Sequence, residues 1–248
     1  MPHETITIAT ADGQCPAHLL TPAGTGPWTA VIIYMDAFGM RPALIAQMQG
    51  LADAGYCVLV PDMLYRFGAY GPLDPAEVFQ SGNLMGTIGP MMATTGNRPA
   101  ARDTAAFLDY LAGRPDVARL PAGVAGFCMG GGMALTAAAT HPDRIAAVAS
   151  FHGGRLATDA EDSPHLLAPR LKAHVLIAGA DADDSYPLAM HERLVAAFDA
   201  AGVKHDSSIY EGALHGWMMR DFPVYHPEQA ARGWQAMLDL FARTLGHA

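Results

Sequence analysis

The sequence has few charged residues and no long hydrophobic run, and both shortages restrict the class of protein. Charged residues make up 16% of the 248 positions, while hydrophobic residues make up 51%. This balance is typical of a compact globular chain rather than a disordered one. No apolar run reaches the roughly 20 residues that a membrane-spanning helix needs. The length suits one α/β domain or two small ones, and we predict a single domain over residues 1–248.

Positive charge is also scarce. The 15 Lys and Arg residues stand against 24 Asp and Glu residues, which leaves a formal net charge of -9. A nucleic-acid partner requires a basic face, so this composition argues against one. The first residues, MPHETITIAT, lack the basic and apolar segments of a signal peptide. We therefore expect a cytoplasmic protein that associates with neither nucleic acid nor a membrane.

Cysteine is rare, and its positions argue against two common roles. The 3 cysteines are Cys15, Cys57 and Cys128, an odd number with no paired spacing. A disulfide framework is therefore not expected. No CxxC pair or Cys/His cluster has the spacing of a zinc site, so we predict no metal.

Hydrophobic periodicity predicts strands and helices in alternation. Residues 4–10 alternate in period two and are followed by the turn signal ADG, so residues 14–22 are predicted to be the hairpin partner of this strand. Further strands are predicted at 28–35, 56–62, 123–127, 145–154, 174–181 and 206–212, and helices at 42–54, 98–112, 129–140, 187–201 and 225–244. This order predicts an α/β fold with a mostly parallel, doubly wound sheet, an antiparallel N-terminal edge hairpin and helices on both faces. Residues 66–97, rich in Gly, Pro and Met, are predicted to be an irregular excursion over the site.

Ligand sites in such sheets lie at the carboxyl ends of the strands. The segment GFCMG, Gly126 to Gly130, joins a predicted strand to a predicted helix. It has the G-x-nucleophile-x-G form, in which small neighbours let strand and helix pass closely around a strained nucleophile. A helix N-terminus lowers the pKa of a thiol and favours the reactive thiolate. We therefore predict that Cys128 is a nucleophile and that the N–H of Met129 stabilises an oxyanion.

Two other interpretations of this segment compete with the nucleophile. Cys128 is alternatively a small, inert buried residue, as free cysteines often are. A phosphate-binding glycine loop does not fit, because the sequence has no GxxxxGKS or GxxxxGKT motif and no GxGxxG begins at Gly126.

A cysteine nucleophile needs a base, and the base needs an acid that orients it. In this fold the chain order is nucleophile, acid, histidine. Of the 11 histidines, His215 is selected because it follows the last predicted strand by a few residues. The acidic loop after the strand at 174–181 supplies the acid. We favour Asp183, because Pro187 begins the next helix four residues later; Asp181 and Asp184 are the alternatives.

The loop after the strand at 28–35 reads YMDAFGMRP. The N–H of Ala37 in this loop is the candidate for the second oxyanion donor. Asp36 is an unusual residue at the end of an apolar strand. It is either a turn cap, or it lies near the thiol and there opposes the thiolate or takes up the thiol proton.

The segments YMDAFGMRP, VLVPDMLYR, GFCMGGG, SFHGG, AGADADDSYP and ALHGW occur in an order that resembles the dienelactone hydrolase family, also called carboxymethylenebutenolidases. The resemblance covers nearly the whole chain and implies a single α/β-hydrolase domain. It also implies a Cys-Asp-His triad of Cys128, Asp183 and His215. The family's acid that pairs with the resting thiol and helps generate the thiolate corresponds to Asp36, where characterised members carry Glu.

The resemblance also suggests residues that contact the substrate. Family members that act on dienelactone hold its carboxylate with arginines, and Arg66 in MLYR is one candidate. A second arginine expected after the catalytic histidine has no clean match, because Met219 stands near that place, with Arg220 next to it. Trp217, two residues after the histidine, is a further candidate for substrate binding.

These observations predict a cysteine-dependent hydrolase of small lactones or esters that forms an acyl-thioester and needs no cofactor. Dienelactone itself is not favoured as the substrate. The alternative is a weakly catalytic or non-catalytic small-molecule-binding protein on the same fold. Thiol redox chemistry is a third hypothesis, and it requires Cys15 or Cys57 within disulfide reach of Cys128.

Overall fold

A computed structural model describes residues 2–119 and 121–246. Eight strands in this part of the chain form one sheet. They are β1 (His3–Thr10), β2 (Gly13–Leu20), β3 (Thr29–Tyr34), β4 (Tyr56–Pro61), β5 (Ala122–Phe127), β6 (Ile145–Phe151), β7 (His174–Ala182) and β8 (His205–Leu214). Their order across the sheet is β1-β2-β4-β3-β5-β6-β7-β8.

The helices that surround the sheet follow the strands in the chain. They are α1 (Pro42–Asp53), α2 (Pro75–Gln80), α3 (Leu84–Met92), α4 (Asn97–Ala112), α5 (Met129–Thr140), α6 (Leu188–Ala201) and α7 (Pro227–Leu245), with short 3-10 turns at Tyr65–Phe67 and Pro164–Arg170. Within the described residues, none of these helices is both long and apolar enough to cross a membrane.

The strand directions confirm the predicted topology. β1 pairs with β2, and β2 with β4, in antiparallel fashion, while all pairs from β4 to β8 are parallel. Every residue of β3, β4 and β5 is buried. Strands covered on both faces read as continuous apolar runs, which explains why these three were recognisable from the sequence. The fold is that of an α/β-hydrolase.

Helices pack on both faces of the sheet. Phe241 of α7 lies directly over Gly123 of β5 and leaves no room there for a Cβ atom. Tyr34 of β3 instead hydrogen-bonds Thr104 of α4 through its hydroxyl, at 2.6 Å. Gly123 pairs with Val31, three residues before Tyr34, so Tyr34 points to the opposite face of the sheet. The helices α7 and α4 therefore cover opposite faces.

The segment 66–97 corrects the prediction of an irregular excursion, because it contains the helices α2 and α3. Asp74 begins α2, since its side chain accepts a hydrogen bond from the N–H of Ala76 at 2.8 Å. Pro75 at the first helical position needs no N–H partner. A capping aspartate followed by a proline is typical of a helix start and is visible in the sequence, but the high Gly and Pro content of the segment favoured an irregular prediction.

Candidate active site

The turn between β5 and α5 is a strained elbow. Cys128 has φ 54° and ψ −118°, a backbone conformation that non-glycine residues rarely adopt. A Cβ atom on Gly126 would collide with the carbonyl oxygen of Gly130, and one on Gly130 with that of Tyr34. Only glycine therefore fits on either side of the cysteine. Cys128 is half-buried, whereas Cys15 and Cys57 are buried.

Three predicted residues from three different strand ends meet at this elbow. Nε2 of His215 lies 3.0 Å from Sγ of Cys128. Nδ1–H of His215 donates to Oδ2 of Asp183 at 2.7 Å. The Asp183 side chain is 1% exposed and that of His215 is 32% exposed. The arrangement has the order thiol, imidazole, carboxylate that nucleophilic catalysis requires.

The structure separates Asp183 from the two alternative acids. Asp181 accepts a hydrogen bond from the N–H of Gly212, and Asp184 is exposed. Asp183 is held in place by Ser185, whose N–H and hydroxyl both donate to Oδ1, at 2.8 and 2.6 Å. Sequence reasoning missed Ser185, although a serine two residues after an aspartate is typical of an Asx turn.

The hydrogen bonds of this cluster set its charges. Burial alone would lower the pKa of His215, but its hydrogen bonds to Asp183 and Cys128 raise it to about 10. Burial would raise the pKa of Asp183, yet the bonds from His215 and Ser185 lower it. His215 is therefore a cation and Asp183 an anion at neutral pH, which places a positive charge beside the Cys128 thiol.

A second histidine, His152, contacts the backbone of the elbow. His152 follows β6, is fully buried, and has φ 38°. Its Nδ1 accepts a hydrogen bond from the N–H of Cys128 at 3.2 Å. Its ring lies 5.4 Å from that of His215, between centroids. Burial, and then the charge of His215, hold the pKa of His152 well below its usual value, so this ring is neutral. Its motif SFHGG was visible in the sequence, but this contact was not predicted.

Both predicted oxyanion donors lie beside the elbow. Met129 is the first residue of α5, and Ala37 lies in the loop after β3. Gly130 packs against the carbonyls of Tyr34 and Met35, so the start of α5 touches the end of β3. Among the described residues, neither the N–H of Ala37 nor that of Met129 donates a hydrogen bond. Both groups are available to a negatively charged oxygen.

The position of Asp36 corrects the expectation that it pairs with the thiol. Its two carboxylate oxygens accept hydrogen bonds from Nη1 and Nη2 of Arg41, both at 2.9 Å. Oδ1 also accepts from the N–H of Phe38 at 2.9 Å, which is the turn cap considered as the alternative. A buried carboxylate needs a cation, and Arg41 supplies it five residues away. The thiol of Cys128 is instead partnered by His215.

Arg66 is not brought into the cluster around Cys128. Its Nη2 donates to Oδ1 and Oδ2 of Asp103, at 2.9 and 2.7 Å, and its Nε donates to Asp12 at 2.8 Å. The Asp103 side chain has 0% exposure. The guanidinium of Arg66 therefore balances a buried carboxylate of the fold, which corrects its assignment to a substrate carboxylate.

Trp217 is likewise placed in the core and not on a substrate surface. It is 0% exposed. Its indole stacks on Tyr210, with ring centroids 4.6 Å apart, and meets Phe151 and His152 edge-on, both at 6.1 Å. This burial contradicts the prediction that Trp217 contacts the substrate, because neighbouring rings cover the indole.

Comparisons with known proteins agree with the fold. The model of the dienelactone hydrolase family matches residues 15–245. A "putative carboxymethylenebutenolidase" of Methylorubrum extorquens is 30% identical over 242 residues, which cover 95% of this chain and 79% of the relative. The carboxymethylenebutenolidase of Rhodococcus opacus is 25% identical over 240 residues, covering 92% and 86%. A crystal structure from Klebsiella pneumoniae shares the fold, with a TM-score of 0.84, 24% identity and 98% coverage of both chains. The chain therefore belongs to the dienelactone hydrolase family of ester and lactone hydrolases.

Proposed function

We propose that the protein hydrolyses small carboxylic esters or lactones with Cys128 as the nucleophile and a covalent thioester intermediate. The observation that carries the proposal is the 3.0 Å contact between Sγ of Cys128 and Nε2 of His215, whose Nδ1–H donates to Asp183 at 2.7 Å. An imidazolium beside a thiol at a helix N-terminus stabilises the thiolate, which is the reactive form.

In the acylation step, the Cys128 thiolate attacks the carbonyl carbon and a carbon–sulfur bond forms. The carbonyl oxygen becomes negatively charged and accepts hydrogen bonds from the N–H groups of Ala37 and Met129. When the tetrahedral intermediate collapses, the carbon–oxygen bond of the ester breaks. The leaving alkoxide takes the proton from Nε2 of His215. For a lactone the same step opens the ring, and the alcohol stays on the acyl chain.

In the deacylation step, neutral His215 takes a proton from a water molecule, which attacks the thioester carbonyl. The carbon–sulfur bond breaks, the carboxylic acid leaves, and the thiolate–imidazolium pair forms again. Asp183 keeps Nδ1 of His215 protonated throughout, so that Nε2 faces the reaction. No step uses a metal or an organic cofactor.

The proposed substrate class follows from the groups around the thiol. Two backbone N–H donors and one imidazole suit the carbonyl of an ester or a lactone. Arg66, paired with Asp103 and Asp12, gives no support for recognition of a substrate carboxylate. We therefore place uncharged short-chain esters and simple lactones ahead of dienelactone.

A panel of lactones and short-chain esters tests this proposal against the wild type, Cys128→Ser and Cys128→Ala. We expect turnover by the wild type and none by Cys128→Ala. Unchanged hydrolysis by Cys128→Ala would exclude the cysteine mechanism. A Cys128 that neither turns over the panel nor reacts with an acylating reagent would favour the binding-protein alternative.

The proposal also includes a cytoplasmic setting. The three cysteines are unpaired, and burial raises the pKa of both Cys15 and Cys57 to about 12. A functional thiol that stays reduced suits a reducing compartment.

A further inference from the structure

The two loops that carry Ala37 and His215 are not joined through the sheet. Ala37 follows β3 and His215 follows β8, and three strands, β5, β6 and β7, lie between them. At about 4.8 Å per strand, the two strand ends are roughly 19 Å apart. The loop after β8 must therefore fold back across the sheet to bring His215 to Cys128. A separate contact must hold this loop against the loop after β3.

Arg41 makes that contact. Its Nη1 and Nη2 bind the carboxylate of Asp36 in the loop after β3, both at 2.9 Å. Its Nε and Nη2 bind the carboxylate of Asp221 in the loop after β8, at 2.6 and 3.2 Å. Nη1 also donates to the carbonyl of Gly39 at 3.2 Å. All five N–H groups of the guanidinium are thus used, and two carboxylates share one cation.

This ion-pair network is enclosed. The side chains of Arg41 and Asp36 are 2% and 1% exposed, and that of Asp221 is 21% exposed. The guanidinium carbon lies 5.2 Å from the ring centroid of Phe222 and 6.0 Å from that of Phe38. Charge-assisted, bidentate hydrogen bonds in such surroundings fix geometry more strictly than exposed pairs do.

Two further contacts strengthen the same junction. The amide of Gln47 in α1 donates to the carbonyl of Met218 at 2.9 Å and accepts from the N–H of Arg220 at 3.3 Å. Phe38 and Phe222, one from each loop, meet at 4.8 Å between ring centroids. The loop after β8 is therefore held at several points against the loop after β3 and the helix α1. Among these contacts, those of Arg41 are ion pairs.

We propose that Arg41 is a positioning residue, which holds the Ala37 N–H and the His215 ring in one geometry around Cys128. Arg41 touches neither the thiol nor the substrate. It acts through Asp36 on the oxyanion loop and through Asp221 on the histidine loop. The inference rests on the proposed function, because the relative position of the Ala37 N–H and the His215 ring matters only if both act in the reaction at Cys128.

Two reactions of Cys128 separate this role from a purely structural one. Acylation by p-nitrophenyl acetate needs the thiolate, His215 and the oxyanion donors together. Alkylation by iodoacetamide needs only the thiolate. We compare both rates at pH 7 in the wild type, Arg41→Lys and Asp221→Asn. Lysine keeps the positive charge but loses the planar fork that reaches two carboxylates.

We expect Arg41→Lys to lower the acylation rate and kcat by about 10- to 100-fold, because a misplacement near 1 Å has effects of this size. KM should change little, and the alkylation rate should fall less than the acylation rate, because alkylation does not need the oxyanion donors. Asp221→Asn, at the more exposed end of the network, should give a smaller loss of the same kind. Arg114→Lys is the matched control, since Arg114 also binds an aspartate, Asp116, through Nε and Nη2, at 2.8 and 2.7 Å.

Wild-type acylation in Arg41→Lys, or an equal fall of acylation and alkylation, would overturn the inference. If Arg41→Lys does not fold, Asp221→Asn decides, and wild-type acylation in that variant would also overturn it. Cys128→Ala separates the two proposals. Hydrolysis by Cys128→Ala would refute the proposed function, while an inactive Cys128→Ala with a fully active Arg41→Lys would refute only the role of Arg41.

Discussion

Nε2 of His215 lies 3.0 Å from Sγ of Cys128, and Nδ1 of the same ring is bonded to Asp183. The carboxylate of Asp36 is bound by Arg41 instead of the thiol. The thiol and the imidazole are therefore already paired in this structure. This differs from the expectation that an acid in the loop after β3 partners the resting thiol, and it has consequences for reactivity.

The first prediction concerns the pH dependence of Cys128 alkylation. The pKa of His215 is raised to about 10, so its charge persists from acidic pH up to that value and is lost above it. We expect iodoacetamide to alkylate Cys128 faster at pH 7 in the wild type than in His215→Asn, which has no imidazolium beside the thiol, and we expect the difference to shrink as the pH rises toward 10, where the charge of His215 is lost. Equal rates for the two proteins at pH 7 would contradict this pairing of the thiol with a charged imidazole. Cys15 and Cys57 are buried and should not interfere.

The second prediction concerns the acid. Asp183→Asn keeps the shape of the side chain but lets an amide face Nδ1 of His215, which favours the wrong tautomer. We expect kcat to fall by up to about 10⁴-fold. The pKa of His215 should fall as well, because a bond that raises it is lost. Asp184→Asn is the control, since Asp184 is exposed. A larger loss in Asp184→Asn than in Asp183→Asn would contradict the assignment.

The third prediction concerns Trp217. Because its indole is fully buried against Tyr210, Phe151 and His152, Trp217→Phe should lower the free energy of unfolding by about 1–3 kcal/mol. Thermal unfolding measures this loss. Trp234→Phe, at a half-buried position on α7, should cost less. A rise in KM without any change in thermal stability would instead support contact between Trp217 and the substrate.

The fourth prediction concerns Arg66. Arg66→Gln removes the cation beside the buried carboxylate of Asp103, which should destabilise the protein by about 3–5 kcal/mol at pH 7. Burial already raises the pKa of Asp103. A folded-state pKa above the unfolded value means that the carboxyl is tolerated at low pH and becomes costly as pH rises. The variant should therefore lose stability between pH 4 and pH 7, as followed by urea unfolding.

The double variant Arg66→Gln with Asp103→Asn provides the control for that experiment. It has no buried charge at this position, so its stability should depend less on pH. If Arg66→Gln keeps wild-type stability at pH 7 and only KM for a carboxylate-bearing ester rises, the structural role of Arg66 is wrong.

Features of the site that depend on local chain geometry were predictable from the sequence. Gly126 and Gly130 are required by contacts within the elbow itself, and these contacts involve residues next to Cys128 or at the end of β3. His215 and Asp183 follow strands, so the direction of the parallel sheet places them at the same edge. The strands β3, β4 and β5 were visible because burial on both faces makes them continuously apolar.

Long-range pairings were not predictable in this way. Arg41 and Asp221 are 180 residues apart, and no periodic pattern links them. Asp36 could equally be a turn cap or a partner of the thiol, and only the position of Arg41 decides between them. A tryptophan after the histidine suits either a pocket or the core, since apolar rings line both.

The most direct test of the central claim is to trap the acyl-enzyme. The wild-type protein is mixed with p-nitrophenyl acetate, quenched with acid within its first turnover, digested and examined by mass spectrometry. We predict one acetyl group on the peptide that contains Cys128, and none on this peptide in Cys128→Ala. Rapid release of p-nitrophenol with no acetylated Cys128 peptide, or the same release by Cys128→Ala, would contradict the cysteine mechanism.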